Sequence, residues 1–315
     1  MRPVLSLLLM ITSLIFAQQN DPARYIDVAT FNIEWFPCKD DGAMMQRYGI
    51  HLSHPPRGEA TDVRALFRML SRLNLELLAV EEIVDTRMFA DSARHYMGDR
   101  YKFIYAPGRG SQKVGFLYDS TRLRLIGAPE VYNDLLLKPD SWLRPAFRAY
   151  FKTLPEGFDF HAIVTHLKAA PRGWKQRQKQ WNALHEILRK LPEKTGDADI
   201  ILLGDMNNVS KRREQEFKPI MDELGFYRVT RELNGMPSNY WMADWHAQRL
   251  EASLIDQIFV SADAKVEYIE GSVHVAGMCA SAFDGYVNGD FPLYYRKISD
   301  HCPVIARFRV DRDDD

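Results

Sequence analysis

Six short segments of this chain each close a strand-like apolar run with residues able to do chemistry. They read Thr30-Phe31-Asn32-Ile33-Glu34, Val80-Glu81-Glu82, Val164-Thr165-His166, Gly204-Asp205-Met206-Asn207, Leu254-Ile255-Asp256-Gln257 and Ser299-Asp300-His301. Carboxylate and amide oxygens are the ligands of a hard divalent cation. Imidazole beside carboxylate is equipment for acid–base work. A single acid or amide at a strand end is an ordinary turn former. Six such ends in one chain point instead to a site built where strands emerge from a sheet.

The chemistry these residue types suit is phosphodiester hydrolysis. That reaction needs an activated water, neutralised phosphoryl oxygens and a leaving oxygen that is protonated or bound to metal. Spacing adds detail. Asp205 and Asn207 differ by two residues and share a face of an extended chain, as do Asn32 and Glu34. Glu81 and Glu82 are adjacent, so strand alternation directs only one of them into the site.

The segments resemble the endonuclease/exonuclease/phosphatase family, which includes pancreatic-type DNases, abasic-site endonucleases, neutral sphingomyelinases and inositol-polyphosphate phosphatases. Gly204-Asp205-Met206-Asn207 and Ser299-Asp300-His301-Cys302-Pro303-Val304 carry the resemblance most specifically, and it runs in order from about Ile26 to Arg309. Phe31-Asn32-Ile33-Glu34-Trp35-Phe36 resembles the form in bacterial extracellular members. The resemblance implies an α/β fold, a two-sheet β-sandwich flanked by helices in the DNase I-like four-layer arrangement. It places Glu82 as a metal ligand, Glu81 where the family has glutamine, and Asn32 and Asp300 as further ligands. The implied ion is Mg2+, with Mn2+ or Ca2+ as alternatives. Asp205 is implied to activate or orient the water, and Asn207 to orient Asp205 and the phosphate. His301 is implied to touch the scissile phosphate while Asp256 polarises its far nitrogen, and His166 takes the place of the family's second histidine. Arg144, in Leu143-Arg144-Pro145-Ala146, matches a phosphate-contacting arginine. Two features depart from the DNase pattern, at three positions. Gln112 stands where those enzymes have a leaving-group glutamate, and Glu34 and Val84 stand where they have minor-groove arginines.

Formal net charge is -1 and the sequence pI about 6.8, so grip on a polyanion needs a local basic patch. Lys168 and Arg177 are expected to join Arg144 in binding substrate, whereas Lys175 and Lys179 read as a solvated helix face. Lys211-Arg212-Arg213 follows the Asp205 loop, diluted by Glu214 and Glu216. Tyr240, Trp241 and Trp245 precede the Asp256 segment and suit base stacking, a core or a lipid-facing loop alike. The expected function is a secreted, Mg2+-dependent endo- or exonuclease acting on DNA or RNA. The alternative is a phosphatase or phosphodiesterase of a lipid or small phosphoester, like sphingomyelin. A non-enzymatic binding module would be expected to have lost residues at these strand ends, and every one is filled.

The positioning elements follow from periodicity. Strands are expected over 25–33, 75–82, 101–106, 113–118, 148–153, 158–165, 200–204, 254–260, 266–275 and 304–310. Helices are expected over 61–74, 89–97, 174–191 and 217–224, the third with Trp181, Leu184, Leu188 and Leu191 on its core face. Residues 37–59 and 276–297 read as long loops. Apolar residues make up 46% of the 315, enough for a substantial core in one domain over 18–315. Arg2 followed by the apolar run Val4 to Phe16 reads as a signal peptide cleaved after Ala17, which predicts a secreted or periplasmic monomer without a membrane span. Export makes a disulfide feasible. Of the three cysteines, Cys38 and Cys279 are the expected pair and Cys302 an expected core thiol.

Overall fold

The computed structural model describes residues 24–39, 59–155, 157–208, 211–281 and 284–311, with the side chains of 211–213 outside the description. The expected signal peptide lies outside the described residues, as does most of the 37–59 loop.

Strand β1 (Tyr25–Phe36) sets out the layers by its alternation. Ile26 and Val28 face one apolar cluster, while Ala29, Phe31 and Ile33 face another. A strand buried on both faces needs cover on both sides. Helix α1 (Val63–Leu73) supplies one cover through Leu66, Phe67 and Leu70. The Asp62 side chain caps its start by accepting from the Ala65 N–H at 2.9 Å, and Asn74 ends it in the left-handed conformation. Strand β2 (Leu77–Ile83) then runs parallel to β1. After α2 (Thr86–Met97), β3 (Tyr101–Tyr105) and β4 (Lys113–Asp119) add an antiparallel pair to the far side of β2.

A second sheet repeats the plan. Strands β5 (Leu123–Tyr132), β6 (Ala146–Thr153) and β7 (Asp159–His166) form an antiparallel meander. Helix α3 (Trp174–Thr195) crosses over to β8 (Ile200–Asp205), which is parallel to β7. Trp181, Leu184, Leu188 and Leu191 are all buried, with Trp181 packed 5.5 Å from the Phe217 ring centroid. Helix α4 (Lys218–Glu223) and the short β9 (Tyr227–Arg228) follow. A hairpin of β10 (Asn239–Asp244) and β11 (Arg249–Ser253) precedes β12 (Asp256–Val260), antiparallel to β8. The chain returns through β13 (His274–Val275), β14 (Gly285–Tyr286), α5 (Leu293–Lys297) and β15 (Val304–Arg309), which lies antiparallel to β1.

The first sheet has the order β13-β15-β1-β2-β4-β3, the second β5-β6-β7-β8-β12-β9, and β10-β11-β14 forms a small third sheet. One apolar cluster fills the space between the two large sheets, and one lies under the helices on each outer face. This is the expected four-layer sandwich. Among the described residues no helix is long and apolar enough to cross a membrane.

Three expectations are corrected. Residues 266–273 form turns and a single bridge, because Gly271 at φ 77 and the ties at Val266 and Ser272 curl the backbone; only His274–Val275 remains a strand. Strand β5 and the β10–β11 hairpin were not expected, and Gly127 and Pro129 within β5 obscure its pattern. The disulfide joins Cys279 to Cys302, with Cα atoms 6.1 Å apart, and leaves Cys38 buried and outside the bridge. Cys302 precedes β15 and faces the turn at 277–280, so the residue expected to be inert core is the one within bridging reach.

Candidate active site

The inner face of the sandwich turns from apolar to polar at one edge. Along β1 the inward series runs Val28, Thr30, Asn32; along β2 it runs Leu77, Ala79, Glu81. In the second sheet Val164 gives way to His166, Leu203 to Asp205, and Ile258 is preceded by Asp256. Strand parity alone therefore delivers these side chains to one place.

Backbone departures deliver the rest. Glu34, Trp35, Glu82 and Asn207 all have positive φ, at 42, 56, 62 and 54°. Non-glycine residues occupy that region at a cost of about 1–3 kcal/mol each and persist where their surroundings enforce it. At Glu82 the kink coincides with a break in the β2 register. It turns the Glu82 carboxylate to accept from Asn32 Nδ2 at 3.3 Å and from the Trp35 N–H at 3.1 Å. The kink overrides alternation, so both glutamates reach the site region. Glu81 is fully buried and accepts from Thr30 Oγ1 at 2.8 Å, whereas Glu82 keeps partial exposure. Gly204 is required by close approach: at φ 138° a Cβ would stand 1.9 Å from the Thr165 carbonyl oxygen.

Asp205 is the hub. Its Oδ2 accepts from Asn32 Nδ2 at 3.1 Å and lies 3.4 Å from His166 Nε2 and 3.9 Å from His301 Nε2. Its Oδ1 accepts from the Asn207 N–H at 2.9 Å. Asn207 Nδ2 and Arg144 Nη2 both donate to the Leu167 carbonyl, at 3.2 and 3.0 Å. His301 Nδ1 donates to Asp256 at 2.8 Å, and Ser238 Oγ donates to the same carboxylate at 2.6 Å. Glu34 accepts from the Asp300 N–H at 3.0 Å, while Ser299 Oγ donates to the Asn32 carbonyl at 2.8 Å. These last two bonds tie the 299–301 segment to the end of β1.

Electrostatics separate the two histidines. Burial alone would depress His301, but Asp256, Asp300 and Asp205 overcome it and hold the imidazole well above its ordinary value, as a cation. Burial also depresses His166, and there Arg144, His301 and Lys168 add to the effect, leaving it neutral. Burial pushes Asp205 up to about 7, with Asp256 and Glu82 adding and His301 opposing. Burial, joined by the Glu82 charge, pushes Glu34 up to about 8. Glu81 is raised well above its ordinary value, first by burial and then by Asp256.

The donor set fits a hard divalent cation. Glu82 Oε1 and Asp205 Oδ2 lie 3.6 and 3.4 Å from one nitrogen of His166, so two carboxylate oxygens face a common point. Asp205, Asp256 and His301 also bring three ligand atoms within 4.8 Å of one another. The Asp256 carboxylate is occupied by His301 and Ser238, which suits it to orienting the imidazole.

A wide groove opens beside Glu82, about 990 Å³ in volume, with Arg144, Gln112 and Lys168 in its wall.

The sequence profile of the endonuclease/exonuclease/phosphatase family matches residues 29–301. The chain belongs to that family. Solved structures with the same fold include truncated TDP2 from Caenorhabditis elegans, at 14% identity and a TM-score of 0.61, covering 91% of this chain and 98% of that one. TDP2 from D. rerio, complexed with single-strand DNA product, gives 16% identity and a TM-score of 0.62 over 90% and 98% of the two chains. The mannosyl-6-phosphatase of Bacteroides thetaiotaomicron gives 16% and 0.56 over 90% and 99%. No curated protein matches the sequence. The fold is thus the DNase I-like one in this family of phosphoester hydrolases.

Of the residues singled out from sequence, His166, Asp205, Asn207, Asp256, His301, Glu82 and Arg144 meet in this cluster. Asp300 joins it through His301, its Oδ1 lying 3.8 Å from Nε2. Lys168 is half-buried in the groove wall. The Asn32 side-chain oxygen accepts from the Glu34 N–H at 3.0 Å and its nitrogen faces the Glu82 and Asp205 carboxylates, which puts Asn32 beside the candidate ligands. One role changes. Arg177 is wholly buried, donates to Glu216 at 2.9 Å and holds the carbonyls of Lys168 and Ala170, so it shapes the loop after β7 and is closed to substrate. Sequence reasoning missed Trp35, Ser238 and Ser299. For Ser299 there was a signal: a hydroxyl two residues before His301, where it accepts from the His301 N–H.

Proposed function

We propose that this protein is an exported, Mg2+-dependent phosphodiesterase that cleaves nucleic acid. The observation that carries the reading is the convergence of the Glu82 and Asp205 carboxylates with the Asp256-held His301, at the mouth of a groove with cationic walls. Glu82 would hold the ion, its carboxylate steadied by Asn32, with Asp300 alongside His301. When bound, Mg2+ supplies neutralisation of the phosphoryl oxygens. The His301 cation is placed to donate from Nε2 to a phosphoryl oxygen, and Asp256 keeps the imidazole turned for that bond. Asp205, poised near neutrality, accepts a proton from the attacking water. Arg144, fixed by the Leu167 carbonyl, adds positive charge on the His166 side.

Nucleic acid is favoured because Arg144, Lys138, Lys168 and Lys179 line the groove, and because a neighbour of the same fold is described with single-strand DNA. Export is supported by the apolar N-terminal run and by the Cys279–Cys302 disulfide, since such bonds persist in oxidising compartments. A lipid phosphoester is the second reading. It rests on the β10–β11 hairpin, where Trp245 is 53% exposed at the tip and Val287 stands out nearby. The deciding assay sets purified protein against plasmid DNA, RNA, sphingomyelin vesicles and bis(p-nitrophenyl) phosphate, each with Mg2+ and with chelator. Nucleic-acid cleavage that chelator abolishes is expected. Turnover of sphingomyelin with nucleic acid untouched transfers the reading to lipid.

A further inference from the structure

The groove beside Glu82 carries aromatic surface that hydrolysis itself does not use. Trp35 lines the groove together with Glu82, is partly exposed, and has its backbone N–H bonded to the Glu82 carboxylate. Trp142 lines the same groove and is 60% exposed, the most exposed tryptophan among the described residues. It sits in the β5–β6 connection just before Arg144, whose guanidinium is anchored at the catalytic cluster. Lys138, Lys168 and Lys179 line the groove as well, against one exposed carboxylate, Asp140.

We infer that this groove is a binding track for single-stranded nucleic acid, with Trp35 and Trp142 as stacking platforms on which bases lie while the lysines follow the phosphates. Aromatic and cationic groups in one groove suit such a strand: each base has a face to stack, at about 1–3 kcal/mol, and each linkage carries a charge. A duplex keeps its base faces covered and cannot use Trp142. A neutral glycan would stack on the rings and gain nothing from the lysines. A lone phosphate would need neither tryptophan. The inference rests on the phosphodiesterase reading and adds substrate form to it: single strands, loops and frayed ends are preferred to continuous duplex.

The test is a chain-length series. Thymidine oligonucleotides of two, six and twelve nucleotides are assayed for KM and kcat with the wild type, Trp142→Ala and Trp142→Phe, and binding of a fluorescent dodecamer is followed by anisotropy in chelator. KM should fall with length in the wild type. Trp142→Ala should raise KM for the dodecamer roughly 5–150-fold and flatten the series, with Trp142→Phe recovering part of it. Because Trp142 is mostly exposed, its removal disturbs little packing, which circular dichroism verifies. If cleavage proceeds with the wild-type length series in Trp142→Ala, or if hybridised duplex is bound as well as single strand, the track is refuted while the enzyme reading stands. If nothing is cleaved yet dodecamer affinity falls with Trp142→Ala, the track stands and the nuclease reading fails.

Discussion

The two large sheets solve the same layout with different chemistry. Each holds one parallel pair bridged by a helix, β1–β2 over α1 and β7–β8 over α3. Each pair sends polar residues from its carboxyl ends: Asn32 and Glu82 from the first, His166 and Asp205 from the second. Each adds a residue from the antiparallel neighbour's start, His301 before β15 and Asp256 at β12. Both sheets thus give one histidine, and both histidines are almost fully buried. Their charges differ because their neighbours differ. His301 faces three aspartates and is held well above its ordinary value; His166 has Asp205 and Glu82 close by but is depressed first by burial and then by Arg144, His301 and Lys168. At similar depth, the balance of neighbouring charges decides which imidazole can donate.

Substitutions can break that contrast, beginning with the largest effect. Asp205→Asn removes the hub that both sheets share, and kcat should fall on the order of 10²–10⁴-fold with the fold intact by circular dichroism. An unchanged kcat would take Asp205 out of proton transfer. Asp256→Asn leaves the shape but removes the charge that holds His301 cationic. It should cost roughly 10–100-fold in kcat, and the alkaline limb of the pH–rate profile should move to lower pH, because His301 then loses its proton more readily; a profile identical to wild type would contradict the pairing.

Two arginines sharpen the comparison within the second sheet. Arg144→Ala should raise KM for nucleic acid and make it less sensitive to NaCl, since a phosphate that the protein no longer neutralises keeps its condensed counterions. Arg177→Ala should leave that salt slope alone and lower stability by about 3–5 kcal/mol in urea unfolding, because it strands Glu216 in the interior. Equal salt slopes in the two variants would erase the distinction drawn between them.

The smallest effect comes from a third histidine, remote from the site. Burial, with the Arg148 charge adding, pushes His161 down to about 4 from 6.5, and Arg148 Nη1 donates to its Nδ1 at 3.0 Å. Below pH 6.5 the unfolded chain takes up a proton that the folded chain refuses, so stability should decline as pH falls from about 6.5 to 4. His161→Gln should flatten this slope in thermal unfolding across that window. The same slope in wild type and variant would assign the decline to other groups.

Much of this architecture was legible from strand ends alone. An apolar run that closes in Asn, Glu, His or Asp marks both the strand and the edge where it opens, and six such ends located the cluster. What alternation could not supply were the places where the backbone leaves it. The kink at Glu82 brings both glutamates to the site, where a regular strand would bring one. The amide orientation of Asn32 follows from a bond to the N–H of Glu34, a residue that itself adopts positive φ. Arg177 looked available because helical spacing locates a side chain without showing what the following loop folds over it. The cysteine pairing depended on a turn, 277–280, that has no periodic signal. Trp35, near the end of β1, and Trp142, in a loop, were passed over because such tryptophans acquire meaning only when a groove joins them.

The central claim is that Glu82 holds a divalent cation on which hydrolysis depends. Calorimetric titration of Mg2+ and Mn2+ into wild type, Glu82→Ala and Glu81→Gln, with bis(p-nitrophenyl) phosphate turnover measured on the same samples, tests it directly. Glu81 is the informative control because it is buried, bonded to Thr30 and raised well above its ordinary value by burial, so the isosteric glutamine keeps its shape. The account predicts cation binding and turnover in wild type, both largely kept in Glu81→Gln and both lost in Glu82→Ala despite an unchanged fold. Cation binding and turnover that survive in Glu82→Ala, or turnover that persists in chelator, would contradict it.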